Sequence, residues 1–241
     1  MKKFLIAIIV CTLFFTAQAG ATTYTFEDNW IDWPGYNSNH SNDDDYGTPQ
    51  IDSMSVTLND DGILQKVDIA LKGNTQWQEF NSLFINSYSI ESKNDQWDDW
   101  DYFAHDGGST NYEKENIHGK IPDDGIFSVK KDGYRYTKTK NKGDVRRKTP
   151  NGIDDRDLSL LGNNSDDGWK RTSSYLLSYS FAGIDGLDID LSDGFFIAFA
   201  PYCANDVIGG GMNPVPEPTT MALLGIGLIG LARIGRKKMM K

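Results

Sequence analysis

The stretch MSVTLNDDGILQKVDIAL, residues 54–71, decides the fold of this chain. Apolar and polar residues alternate from Met54 to Leu58 and again from Val67 to Leu71, so each half has one apolar face. Between the halves, residues 59–62 end in an Asp-Gly pair, which favours the positive-φ geometry of a tight turn between antiparallel strands. The stretch therefore predicts a β-hairpin with one buried face.

The flanking sequence repeats this pattern and shows no sustained helical period. The segments that read as further short strands are Tyr24 to Phe26, Leu83 to Ile90, Tyr102 to Ala104, Ile126 to Val129, Tyr134 to Thr139, Tyr175 to Phe181, Leu187 to Leu191 and Phe195 to Pro201. The run from Phe195 to Ala200 is almost wholly apolar, which predicts a central, fully buried strand. Residues 37–50 and 140–168 read as long surface loops.

Many short strands separated by Gly, Asn and Asp indicate an all-β fold, a β-sandwich or jelly-roll-like domain. We expect this single domain to span residues 22–208. Because Gly209, Gly210 and Gly211 lack side chains, residues 209–218 read as a flexible linker.

The N-terminus carries an export signal. Lys2 and Lys3 precede an apolar run from Phe4 to Phe15, and small residues follow at cleavage spacing. This order is typical of a signal peptide over residues 1–21, with signal peptidase cutting after Ala19 or after Ala21. The Sec translocon and signal peptidase are the expected partners.

The C-terminus combines a rigid motif, an apolar segment and a basic end. Pro216-Glu217-Pro218 resists helix formation because proline fixes φ and biases the preceding residue toward extended geometry. The apolar run from Met221 to Ala232 is shorter than the about 20 residues that usually span a bilayer. Counting residues 219–241 together, we expect a short transmembrane helix whose basic end stays in the cytoplasm.

These three features, in this order, resemble the PEP-CTERM sorting signal of exported proteins in biofilm-forming Gram-negative bacteria. The resemblance covers only the tail. It implies recognition by exosortase and cleavage near Pro216, Glu217 and Pro218. It also implies an intermediate tethered to the inner membrane by the tail, followed by delivery to the cell surface or extracellular matrix, where exopolysaccharide is a candidate partner.

Removing the terminal segments changes the charge of the body. They contain seven of the 24 basic residues and none of the 34 acidic ones, so 17 basic residues remain and the net charge is near −17. Such a body repels nucleic acid and anionic lipid. Cys11 leaves with the signal peptide, which leaves Cys203 as a single thiol, either a buried small side chain or the source of an intermolecular bridge.

Acidic clusters raise the hypothesis of calcium binding, because carboxylate oxygens are the ligands that calcium prefers. The clusters are Asp43-Asp44-Asp45, Asp98-Asp99 with Asp101, Asp154-Asp155 with Asp157, and Asp166-Asp167. Residues 163–168 approach a calcium loop, but Ser174 stands where an EF-hand has glutamate. Asp188, Asp190 and Asp193 read as the polar face of a half-buried strand. Calcium is therefore a candidate cofactor, and no metal ligand can be assigned.

Tryptophans beside acids raise a second hypothesis. Trp97 and Trp100 lie in an acidic segment, and sugar sites combine aromatic faces with a few polar groups. If the chain is extended there, their spacing of three directs the two side chains to opposite faces. Core packing is the alternative, since tryptophan is highly buried on average.

No catalytic residue can be named. The chain contains no zinc-type histidine spacing, phosphate loop or serine elbow in its body. We therefore expect a non-catalytic surface or extracellular-matrix protein, with calcium or glycan binding as hypotheses. A secreted carbohydrate-active enzyme on the same scaffold is the alternative, because a pair of carboxylates can hydrolyse glycosides.

Overall fold

A computed structural model describes residues 20–28, 33–34, 50–72, 81–87, 97–106, 117–120, 122–131, 133–139, 150–163, 169–173, 175–201, 206–213 and 225–227. These residues form fourteen strands: β1 (Thr22–Glu27), β2 (Ile51–Leu58), β3 (Leu64–Leu71), β4 (Asn81–Asn86), β5 (Tyr102–Asp106), β6 (Ile117–His118), β7 (Gly125–Val129), β8 (Tyr136–Thr139), β9 (Pro150–Ile153), β10 (Leu158–Asn163), β11 (Trp169–Ser173), β12 (Leu176–Ser180), β13 (Phe195–Pro201) and β14 (Ile208–Met212). A 3-10 helix covers Asp155–Asp157. The fold is all-β, as predicted.

The strands form three antiparallel sheets. The first sheet has the order β1-β2-β3-β12-β11, the second β10-β7-β5-β4-β13-β14, and the third β6-β8-β9. The predicted hairpin is confirmed as β2 and β3, with Val56 opposite Val67. Asn59 Oδ1 accepts the backbone N–H groups of Asp61 and Ile63, and Gly62 takes the left-handed φ of +79° that the turn requires.

Two cores share the second sheet. The first core lies between the first and second sheets and includes Val56 and Ile69 from one and Ile85 and Ile197 from the other. Such face-to-face packing of two sheets is the arrangement of a β-sandwich. The second core lies on the opposite face of the second sheet, where β9 and half-buried Tyr136 of β8 cover it.

Strand β13 explains the continuous apolar run. All seven of its residues are buried, as the sequence predicted. Phe195, Ile197 and Phe199 belong to the first core. Phe196 and Ala198 belong to the second. Because successive side chains point to opposite faces, a strand covered on both faces needs apolar residues throughout.

The predicted loop over residues 140–168 is wrong for residues 150–163. This segment contains β9, the 3-10 helix and β10. Asn151 is fully buried, its carbonyl oxygen accepts the Ser82 hydroxyl at 2.8 Å, and its Oδ1 accepts the Thr137 hydroxyl at 2.9 Å. Polar side chains with specific partners hold this segment in place, so it lacks the apolar alternation of the other strands.

The strand predicted over Leu187 to Leu191 does not form. A single bridge joins Ile63 to Asp190. The alternation is nevertheless real, because Ile189 and Leu191 are buried while Asp188 and Asp190 are exposed. Burial of alternate residues therefore does not require a paired neighbour along the whole segment.

Candidate functional site

The first and last strands of the body meet at one edge of the molecule. β1 is an edge strand of the first sheet, and β14 is an edge strand of the second. The rings of Tyr24 and Phe26 contact Phe195 edge-on, with centroids 5.6 and 6.3 Å apart. Phe195 lies opposite Met212 in the ladder between β13 and β14. The Thr22 end of β1 therefore lies toward the Met212 end of β14.

Glycine makes this close packing possible. The Phe26 ring occupies the position that a Cβ atom of Gly210 would need. A Cβ atom on Gly209 would lie 2.5 Å from Cζ2 of Trp97. The prediction of a flexible linker is therefore wrong for residues 209–212, because aromatic rings cover these glycines and the backbone pairs with β13.

The sorting segment follows β14 almost immediately. Only residues 213–215 separate Met212 from Pro216, so the Cα atoms of Met212 and Pro216 can lie at most about 14 Å apart. Pro216, Glu217 and Pro218 lie outside the described residues. In the tail beyond them, residues 225–227 are helical. Among the residues with a described structure, no helix has the length and apolar character needed to cross a membrane.

The structure also describes the N-terminal end of the body, from Gly20 onward. Ala19 lies outside the described residues, while Gly20 and Ala21 precede β1. The backbone N–H of Gly20 donates to Asp60 Oδ1 at 2.6 Å. This contact ties the entry of the chain to the turn between β2 and β3.

The structure places Trp97 and Trp100 inside the second core. Their exposed fractions are 6% and 1%, and both indoles contact the ring of Trp33. The segment is a turn rather than an extended strand, so the two side chains do not point to opposite faces as expected. Because both indoles are covered, core packing accounts for them, and glycan binding at these residues stays a hypothesis.

Two tyrosines fix this tryptophan turn. Trp100 Nε1 donates to the Tyr136 hydroxyl at 2.9 Å, and the backbone N–H of Asp99 donates to the Tyr134 hydroxyl at 2.9 Å. Asp99 has a φ of +66°, the one described non-glycine residue in the left-handed region. Burial raises the pKa of Tyr136 well above its usual value, so its hydroxyl remains protonated near neutral pH. Asp98 and Asp99 are exposed at the tip of the turn.

Basic side chains neutralise the negative charges of Asp154, Asp155 and Asp157, the cluster predicted as a calcium site. The Arg156 guanidinium donates two hydrogen bonds to Asp154, at 2.7 and 2.6 Å, and Arg135 donates two to Asp157, at 2.8 and 3.1 Å. These bonds lower the pKa of both carboxyls. Lys120 Nζ pairs with Asp155. The arginine-bound carboxylates of Asp154 and Asp157 therefore stabilise the local fold.

Of the other predicted acidic clusters, the structure describes only Asp98, Asp99 and Asp101. Asp101 Oδ2 accepts the backbone N–H and the hydroxyl of Ser87, at 2.9 and 2.7 Å. Residues 43–45 and 166–167 lie outside the described part of the chain. Within the part that is described, no three His, Cys, Asp or Glu side chains are grouped so that they could hold a metal ion. Calcium binding stays a hypothesis.

Two buried polar residues hold positions that hydrophobic patterning does not indicate. Asp206 is fully buried, and its Oδ2 accepts the backbone N–H of Ile51 at 2.6 Å, joining the approach to β14 to the start of β2. His105 is fully buried and stacks on Phe103, and desolvation lowers its pKa from 6.5 to about 4. The sequence places Asp206 at a strand end, where an aspartate side chain accepts backbone N–H groups, but it indicates neither the burial of Asp206 nor its partner, and His105 stands in no motif. Cys203 lies outside the described residues.

Comparison with known families identifies the tail. Residues 214–237 match the PEP-CTERM protein-sorting motif. The match begins two positions after the last residue of β14. No curated protein and no solved structure matches this chain significantly. The tail thus marks an exported protein that exosortase targets, whereas the β-rich body carries no assignment.

Proposed function

We propose that this chain is a non-catalytic surface or extracellular-matrix protein, processed by exosortase and displayed through its β-sandwich body. The observation that carries the proposal is the PEP-CTERM match, which starts two positions after the last body strand. Cleavage near Pro216, Glu217 and Pro218 would release the membrane segment and leave the body intact. The tail thus acts as a temporary membrane anchor.

Three buried carboxylates with structural partners support a non-catalytic body. Asp154 and Asp157 are bound by arginine, while Asp206 holds a backbone N–H group. A glycosidase instead needs two carboxyls that face a substrate across about 5 to 10 Å. These buried side chains serve the structure.

The processing step is tested by intact-mass measurement on protein made in its native host. We expect wild-type protein to end near residues 216–218 and to lack the basic residues of the tail. Substituting Pro216, Glu217 and Pro218 together by alanine should leave the tail attached, whereas Asn213→Ala serves as the matched control. Wild-type protein that retains Lys241 at the cell surface would contradict the proposal, as would normal cleavage of the triple variant.

The proposal extends to contact with exopolysaccharide. It is supported by the exposed pair Asp98 and Asp99, which stands on a rigid aromatic base beside half-buried Tyr134. Carboxylates next to an aromatic ring suit sugar hydroxyls and ring faces. Exopolysaccharide purified from the host should retain wild-type protein and release the variant with Asp98→Asn and Asp99→Asn. Exposed Asp185→Asn is the control, and equal retention of all three proteins would argue against this contact.

A further inference from the structure

The contact between Gly20 and Asp60 is set by the register between β1 and β2. Thr22 lies opposite Leu58 in the antiparallel ladder between β1 and β2. Extending both strands by two residues brings Gly20 opposite Asp60. The observed hydrogen bond, from Gly20 N to Asp60 Oδ1 at 2.6 Å, therefore follows from the pairing of the strands.

We propose that the mature protein begins at Gly20 and that its terminal ammonium forms an ion pair with the Asp60 carboxylate. The inference rests on the proposed export of the chain. It chooses between two cleavage sites that the sequence alone leaves open, after Ala19 and after Ala21. It also assigns Asp60 a role as the acceptor of the new terminus.

Cleavage converts the single backbone N–H donor of Gly20 into a terminal ammonium group with three N–H donors. Signal peptidase hydrolyses the amide bond between Ala19 and Gly20, so water supplies a hydroxyl to the Ala19 carboxyl group and a proton to the Gly20 nitrogen. The resulting amine takes up a further proton near neutral pH, because an α-amino group has a pKa of about 7.7–8.0. The nitrogen that already donates to Asp60 thus becomes a positive charge at the same place.

The segments next to the Asp60 turn carry further acidic residues. Asp61 is the next residue of the same turn, and Asp190 belongs to the segment that bridges Ile63. The Asn59 side chain fixes the turn through the backbone N–H groups of Asp61 and Ile63, which holds Asp60 in position. An ammonium at Gly20 therefore meets a carboxylate that the fold already holds in place. A chain that began at Thr22 would lack the nitrogen that faces Asp60.

Signal-peptidase variants separate the two cleavage sites. Cleavage after Ala19 uses the small residues Ala17 and Ala19, whereas cleavage after Ala21 uses Ala19 and Ala21. A substitution of Ala17 therefore affects only the first site, and a substitution of Ala21 removes the small residue that the second site requires. Intact-mass measurement of protein exported from its native host should show a start at Gly20 for the wild type and for Ala21→Asp. Ala17→Asp should abolish that species. A wild-type start at Thr22 would overturn the inference, while a chain retaining Lys2 would instead contradict the proposed export.

The ion pair has its own signature in the thermal stability of the exported protein. An ammonium beside a carboxylate stabilises the fold while it is protonated, and the contribution is lost as the pH rises through its folded-state pKa. At pH 6.5, Asp60→Asn should lower Tm by about 1–3 °C, the range of an exposed pair in a domain of this size. At pH 9.5 the difference should disappear. Asp61→Asn controls for the loss of one acid in the same turn. An effect of Asp60→Asn that is equal at both pH values would overturn the ion pair.

Discussion

At the scale of the residue, the buried side chains that matter most are polar. His105, Asn151, Asp157 and Asp206 are buried, although none of them is apolar. Hydrophobic patterning identifies apolar core residues, but a buried polar residue is specified by partners that are distant in sequence. Asp206 and Ile51, for example, are 155 positions apart. No local pattern could have placed them together.

His105 should make the body sensitive to mild acid. Its folded-state pKa of about 4 lies below the ordinary value of 6.5, so the unfolded chain takes up a proton first as the pH falls. Stability should therefore decrease between pH 6.5 and pH 4, by up to about 3 kcal/mol. Urea unfolding at pH 7 and pH 4.5 measures this loss.

The pH dependence should be smaller in His105→Gln and unchanged in His118→Gln, since His118 is exposed. A wild-type free energy of unfolding that is the same at both pH values would contradict the assignment to His105.

Asp157 should contribute more to the free energy of unfolding than Asp155, which lies in the same 3-10 helix. Its Oδ2 accepts both the backbone N–H and Nε of Arg135, and it is 6% exposed. Asp157→Asn should lower the free energy of unfolding by about 1–3 kcal/mol at pH 7, because it removes charge from buried hydrogen bonds. Because the pKa of Asp157 is lowered in the fold, this difference should shrink as the pH falls below about 4.

The matched control for Asp157 is Asp155→Asn in the same 3-10 helix. Its partner Lys120 is 68% exposed, so solvent screens that pair and the substitution should have little effect. Chemical denaturation of the three proteins at pH 7 compares them directly. If Asp157→Asn and Asp155→Asn lower the free energy of unfolding equally, burial of the carboxylate does not determine how much it stabilises the protein.

At the scale of the element, sequence patterning identifies strands that bury apolar side chains. The hairpin of β2 and β3 and the buried strand β13 were both predictable, because their alternation or continuous apolarity matches the faces that they cover. Strands β9 and β14 were not. β9 is held by hydrogen bonds of Asn151, and β14 consists largely of glycines covered by rings. Neither mechanism leaves a periodic signal.

Gly210 should be required for the attachment of β14. Because Phe26 occupies the space of the missing side chain, Gly210→Ala should cost about 1–3 kcal/mol through overpacking. The combined change Gly210→Ala and Phe26→Ala should cost less than the sum of the two single changes, because the smaller side chain leaves room for the new methyl group. Urea unfolding of the four proteins gives the coupling free energy, and strict additivity would refute the contact.

At the scale of the whole molecule, the terminal strands determine where the targeting segments leave the body. β1 and β14 pack together at one edge, and their outer ends point the same way. The chain therefore enters β1 and leaves β14 on the same side of the body, and the sorting motif begins at residue 214.

The short spacer after β14 should limit the rate of processing. Because Pro216 can lie at most about 14 Å from Met212, exosortase must work against the folded body, or β14 must detach first. Inserting twelve Gly and Ser residues between Asn213 and Pro214 should therefore speed cleavage in the native host, as followed by pulse-chase.

A second variant distinguishes the two mechanisms. If detachment of β14 is the slow step, Gly210→Ala should speed cleavage as well. If the enzyme instead reaches the site by close approach to the folded body, only the insertion should speed cleavage. The same insertion between Asp185 and Gly186, in an exposed turn far along the chain from the motif, provides the control. A rate that the spacer insertion leaves unchanged would mean that the folded body does not obstruct the enzyme.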